Sequence, residues 1–199
     1  MNLYEYDDYL RNKDGITVIC GVDEAGRGPL AGDVYAAAVV LRGSPIEGIN
    51  DSKKLSHKKR EMLYQRIIES TSSVSVGIAT VSEIEEINIL NAAMLAMKRA
   101  IEGLNCDCEI VYIDGNRIPS GIGKRIDCII KGDTLSASIA AASIVAKAER
   151  DRYMMKMDEI YPEYGFAAHK GYGTRAHYEK IVEYGLSPIH RRTFLKSFT

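Results

Sequence analysis

The chain has 199 residues, enough for one domain with a sizeable core, and its 46% apolar and 27% charged content excludes disordered and fibrous classes. A net charge of −1 masks local crowding. Lys53, Lys54, Lys58, Lys59 and Arg60 fall in one short segment, and Arg191, Arg192 and Lys196 near the other end, so charge alone leaves a nucleic-acid partner open.

Residues 1–10 are acidic and Tyr-rich, with no basic start and apolar run of the kind a secretory signal carries. The most apolar stretches, 36–41 and 139–146, fall far short of the ~20 residues a membrane helix needs. No membrane partner and a cytoplasmic location are therefore expected. Cys20, Cys106, Cys108 and Cys128 form no C-x-x-C pair, which predicts buried or incidental thiols rather than a zinc site.

Residues 16–23 read as a strand, apolar on both faces and rich in β-branched side chains, and 34–41 as a second after a Gly-rich turn. Ser56 is placed to cap a helix reaching about residue 69, and 74–81 reads as a third strand. Ser82 is the expected cap of the next helix, whose apolar stripe of Ile84, Ile87, Leu90, Met94, Leu95 and Met97 ends at Gly103. Strands follow at 109–114 and 125–130. Asp133 or Thr134 then opens a long Ala-rich helix that runs to about residue 160 and stops before Pro162. A last helix is expected over 174–184, with Gly185 behind it. The succession is mixed α/β and does not alternate as a doubly wound fold would.

Three acidic positions carry the chemistry. Asp23 and Glu24 stand together at the end of an apolar strand, ahead of Gly26-Arg27-Gly28-Pro29. A carboxylate there is costly unless it is solvated, paired or metal-bound. The turn alone also fits G-x-G-x-x-A, but a strand follows where a dinucleotide site needs a helix. Asp114 ends a second apolar strand at another Gly turn, and the two acids meet if those strands are parallel neighbours. Asp133 follows Lys131-Gly132, where an Asp could equally be a helix cap. Asp151 lies ~27 Å further along a continuous helix, too far to share a phosphate with ions ~3.5–4 Å apart. It is expected to be solvated or paired with an Arg.

The runs VDEAGRGPLAG from Val22, DSKKLS from Asp51, YIDG from Tyr112, KGD from Lys131, AASIVAKAERD from Ala141, KGYGTRAH from Lys170 and HRRTF from His190 resemble bacterial ribonuclease HII. They lie in that family's order along essentially the whole chain. The resemblance implies a ribonuclease H-like fold: a mixed five-stranded sheet flanked by helices, with a C-terminal helical extension. It implies one domain over 1–199, in which about 15–160 form the catalytic core and about 161–199 help hold substrate. Four carboxylates, Asp23, Glu24, Asp114 and Asp133, would bind Mn²⁺ or Mg²⁺ as a two-metal site. Gly26, Arg27, Gly28 and Tyr172 would read the ribonucleotide and its 2′-OH. Apart from the resemblance, the basic cluster from Lys53 to Arg60 could grip phosphates, with Lys53 the candidate contact, or could simply be a solvated helix face. The partners implied are RNA–DNA hybrids and duplex DNA containing ribonucleotides, cut to 3′-hydroxyl and 5′-phosphate ends. A monomer is expected, and no sliding-clamp peptide is evident at Phe198-Thr199. Asp33 stands where many relatives have Pro, and Thr193 where Ser is usual.

Oxygen ligands suit hard divalent cations, which activate water and stabilise charge on the attacking and leaving oxygens. Asp23 and Glu24 raise a difficulty, because strand neighbours point to opposite faces. Both reach one cation only if the chain leaves the strand at Glu24. His169, His177 and His190 are read as surface or hydrogen-bonding groups. The other readings are a hybrid-binding module without catalysis and a junction-resolving nuclease, which would cut DNA lacking ribonucleotides.

Overall fold

Two strands buried on both faces organise the molecule, which was obtained as a computed structural model describing residues 1–49 and 55–196. β1 (Ile19–Ala25) and β2 (Val34–Leu41) are apolar along nearly their whole length, as strands covered on both sides must be. With β3 (Thr71–Ala79), β4 (Ile110–Asp114) and β5 (Ile126–Ile129) they make a five-stranded sheet in the order β3-β2-β1-β4-β5. β2 runs antiparallel to β1 and β3, whereas β4 is parallel to both β1 and β5.

Helices cover both faces. α3 (Val81–Glu102) lies on one, burying Ala92, Ala93, Ala96 and Met97 against Val22, Ala36, Ala38 and Val111. α4 (Ala137–Ile160) lies on the other, with Ala140, Ala141, Ile144 and Val145 against Ala37 and Val39. α2 (His57–Ser70) packs on the outer side of α4. After α4 the chain continues through the short α5 (Phe166–His169) and α6 (Arg175–Tyr184), which Thr174 caps.

The small side chains of α4 bring its backbone directly onto β1. A Cβ at Gly21 would lie 2.1 Å from the Ser138 carbonyl carbon and 2.3 Å from the Ile139 nitrogen. Backbone on both sides cannot yield, so Gly21→Ala is expected to cost roughly 3 kcal/mol. Thermal unfolding should register a fall of about 6–12 °C. An unchanged melting temperature would show that this contact gives way.

Several boundaries differ from the sequence reading. α4 opens at Ala137 under a Ser136 cap, not at Asp133 or Thr134, because residues 132–134 form a separate 3₁₀ turn. Thr80 rather than Ser82 caps α3, through a reciprocal capping box with Glu83. Asn88 interrupts that helix at φ 67°. Residues 3–14, read only as lacking a signal, form α1 (Leu3–Asp14), capped by Asn2 and Glu5. All four cysteines are free.

α1 has a structural task. Asp7, 1% exposed, accepts hydrogen bonds from Ser136 Oγ (2.5 Å), Ser138 N–H (2.9 Å) and Ser138 Oγ (2.8 Å). It thus supplies a second, remote cap to the start of α4. Burial pushes its carboxyl pKa up, and the Ser136 and Ser138 hydrogen bonds oppose that shift.

Candidate metal centre and substrate cleft

The parallel pairing of β1 with β4 sets Val22 opposite Ile113, so the next residue on each strand is an acid: Asp23 and Asp114. Asp133 arrives from the turn after β5. Lys131 there adopts a left-handed conformation (φ 58°), and the Gly132 N–H donates to Asp114 Oδ1 at 2.7 Å. A Cβ at Gly132 would lie 2.5 Å from Ile139 Cδ1, so that side chain would have to shift to admit one. Carboxylate oxygens of Asp23, Asp114 and Asp133 all lie within 4.8 Å of one another. The capping alternative for Asp133 is thereby set aside, since Ser136 holds that place.

Such crowding is electrostatically unfavourable in the bare protein. Burial, with the charges of Glu24 and Asp114, pushes the Asp23 pKa up to about 8, against the opposing pull of Lys147 and Ser143. The donor set is oxygen only, compact and nearly buried, which fits a hard divalent cation better than zinc or a redox metal.

β1 runs on through Ala25, and Glu24 stays in the ladder opposite Ala36. The chain therefore does not leave the strand at Glu24, as a single shared cation would need. Glu24 stands outside the three-acid group, accepting from Arg27 Nη1 at 3.1 Å, yet it lines the same cleft. That cleft, of about 870 Å³, is also lined by Gly26, Arg27, Gly28, Lys147, Lys170 and Tyr172. Tyr172 is half exposed beside Gly28, where a Cβ would lie 3.7 Å from its ring.

Asp151 is paired with an arginine, as expected: Arg60 Nη1 donates to it at 2.7 Å. Arg60 thus leaves the basic run that the sequence suggested, whereas Lys58 and Lys59 stay exposed on α2. Lys53 and Lys54 lie outside the described residues, as do Phe198 and Thr199. Asp33 accepts from the Val81 N–H at 2.8 Å, and the Thr193 hydroxyl donates to Glu85 at 2.9 Å, so neither departure from the family pattern enters the cleft.

Two arginines went unread. Arg191, taken with the basic C-terminal cluster, is fully buried. It donates to the carbonyls of Gly26 (2.6 Å), Arg27 (3.0 Å), Pro29 (2.8 Å) and Gly32 (2.6 and 2.9 Å). Arg150 adds donors to Ala31, Asp33 and Lys170. Because every peptide among the described residues is trans, a carbonyl turned toward Arg191 turns the following N–H away from it. The amides of Arg27 and Gly28 consequently point away from Arg191. The signal was faint: partners that are backbone carbonyls leave no mark in a sequence.

A mixed sheet of this order, with acids gathered at the ends of its central parallel strands, defines a ribonuclease H-like nuclease. A family model described as ribonuclease HII matches residues 20–197. A ribonuclease HII of Shewanella pealeana is 56% identical over 175 residues, covering 87% of this chain and 86% of that one. One of Caldicellulosiruptor bescii is 52% identical over 197 residues, covering 98% and 95%. The crystal structure of ribonuclease H2 from Pyrococcus horikoshii OT3 superimposes with a TM-score of 0.73 at 29% identity, covering 89% of this chain and 93% of that one. The chain belongs to the ribonuclease HII family. It is accordingly a hydrolase of the endoribonuclease class, and its family is metal-dependent.

Proposed function

We propose that this enzyme hydrolyses the phosphodiester at ribonucleotides in RNA–DNA hybrids and at single ribonucleotides embedded in duplex DNA, leaving 3′-hydroxyl and 5′-phosphate ends. The observation that carries the reading is the convergence of Asp23, Asp114 and Asp133 within 4.8 Å, in a cleft lined by Gly26, Arg27, Gly28 and Tyr172.

Asp23, Asp114 and Asp133 would hold Mn²⁺ or Mg²⁺, with Glu24 contributing from its separate position to a two-metal site. When bound, such ions supply a nucleophile at neutral pH and stabilise charge on the leaving oxygen. The chain's own residues do the selecting. The amides of Arg27 and Gly28 can donate to a sugar hydroxyl approaching the glycine loop, and the Tyr172 ring beside Gly28 offers the other wall. A 2′-OH both donates and accepts, so a loop of oriented peptides can separate RNA from DNA without reading a base. Lys53 is assigned to phosphate contact. Residues of about 15–160 form the catalytic core in this reading, and about 161–199 hold the duplex. The enzyme would work as a cytoplasmic monomer.

The test is a DNA duplex carrying one ribonucleotide, with the cut mapped in Mn²⁺, in Mg²⁺ and in EDTA. Cleavage confined to the ribonucleotide and abolished by EDTA is expected. Cleavage of an all-DNA junction would favour a resolvase, and binding without any cut would favour a hybrid-binding module.

A further inference from the structure

His177 and His190 are buried side by side behind the cleft, 0% and 2% exposed, and their hydrogen bonds admit one arrangement of protons. The Ser187 N–H donates to His190 Nδ1 at 2.9 Å, so that nitrogen is an acceptor and the proton sits on Nε2. His190 Nε2 lies 3.0 Å from His177 Nε2, which must then accept. His177 is left with its proton on Nδ1, 2.9 Å from the Tyr172 carbonyl, which also accepts from the Thr174 N–H at 2.8 Å. The result is a directed chain from Ser187 through two neutral imidazoles to the backbone of Tyr172.

The surroundings favour neutrality. His169 stacks on His177 at 4.2 Å, Phe166 meets both rings edgewise or tilted, and the Tyr164 ring stands 5.0 Å from His190. Burial holds both imidazoles down at about 4, and no carboxylate contributes to either shift. His190 also bridges to Ala31, and the residue after it is Arg191, the donor to the Gly26, Arg27, Pro29 and Gly32 carbonyls.

We propose that His177 and His190 are positioning residues: together with Arg191 they fix Tyr172 and the glycine loop relative to one another. One two-residue segment, His190-Arg191, would thereby set both walls against which a ribonucleotide is read. Arg191 orients the loop amides, and His190 acts through His177 on the Tyr172 turn. This inference rests on the reading of Tyr172 given above.

The test uses full-length variants and a duplex with one ribonucleotide, with kcat and KM measured separately and an all-DNA duplex as the binding control. His177→Phe fills the space but cannot donate, and it should raise KM about tenfold with kcat within about twofold. His177→Asn restores a donor at the Nδ1 position, and its KM should return to within about threefold of the wild type. Tyr172→Ala is run in parallel. If Tyr172→Ala keeps the full preference for the ribonucleotide, the sugar-reading role fails and the positioning role falls with it. If Tyr172→Ala loses that preference while His177→Phe keeps a normal KM, or His177→Asn is as impaired as His177→Phe, only the positioning role is overturned. A lowered melting temperature with unchanged KM overturns it too. Should His177→Phe not fold, His190→Asn and His190→Gln decide. Both can accept from Ser187, but only Gln reaches His177 with a donor, so a KM restored in Gln supports the chain and equal values reject it.

Discussion

Asp114→Asn should lower cleavage of a ribonucleotide-containing duplex by roughly a thousandfold while raising the melting temperature of the metal-free protein. The substitution keeps an oxygen to accept from Gly132 N–H, so the turn that presents Asp133 survives. What disappears is one negative charge, that of the half-buried Asp114, from a compact set of three. Asp23 is held up to about 8 first by burial, then by Glu24, with Asp114 a further contribution. A carboxyl raised in the folded state binds protons more tightly there than in the unfolded chain, so stability falls as pH climbs from about 4 to 8. The variant should suffer less of that fall, and its advantage over the wild type in EDTA should widen across this window. Each kcal/mol gained corresponds to about 2–4 °C. Steady-state cleavage and calorimetry check both halves. Near wild-type turnover would reject Asp114 as a ligand, and a lower melting temperature would reject the account of repulsion.

Arg191→Gln is expected to cost about 3–5 kcal/mol and to impair substrate binding beyond that loss of stability. A guanidinium fork spans several carbonyls at once, whereas an amide offers two hydrogens, so Gly26, Arg27, Pro29 and Gly32 cannot all keep a donor. Burial and the neighbouring Arg150 hold the Arg191 pKa below the usual guanidinium range, and Asp33 partly offsets them. Arg191→Lys keeps a charge without the fork and should fall between the two. Denaturant unfolding gives the stability. KM at a temperature where each variant stays folded isolates the loop, and a KM unchanged in Arg191→Gln would show that the amides of Arg27 and Gly28 hold their direction unaided.

Asp23 and Asp114 were readable because each ends an apolar run near a glycine turn, a pattern that local chemistry makes costly without a purpose, whereas Asp133 after Lys131-Gly132 was equally readable as a cap. The condition placed on Asp23 and Asp114, parallel neighbouring strands, is met by β1 and β4. Helix starts were harder to read. Asp133, Thr134 and Ser136 are all capping types within four positions, and Ser136 takes the place because 132–134 turn separately and α1, through Asp7, braces the start of α4. Glu24 was ambiguous for the same reason, since strand length is a tertiary outcome and the ladder continues to Ala25. The histidines were read as surface or hydrogen-bonding groups, and they do hydrogen-bond, but the burial of His177 and His190 and the partners of Arg191 left no mark because they depend on peptide groups brought close by the fold. α1 buries only Asp7 and Leu10, so it shows no apolar stripe, although Asn2 and Glu5 spell a capping box.

The brace that Asp7 forms with α4 bears on how far the protein can be trimmed. A fragment beginning at residue 15 would retain every strand and every acid of the cation site. It would also take the Asp7 carboxylate from the Ser138 amide and two serine hydroxyls and leave them to water, just after the turn that carries Asp133. A piece lacking the leading helix is therefore expected to melt at a lower temperature than the full chain, with the loss centred on the start of α4.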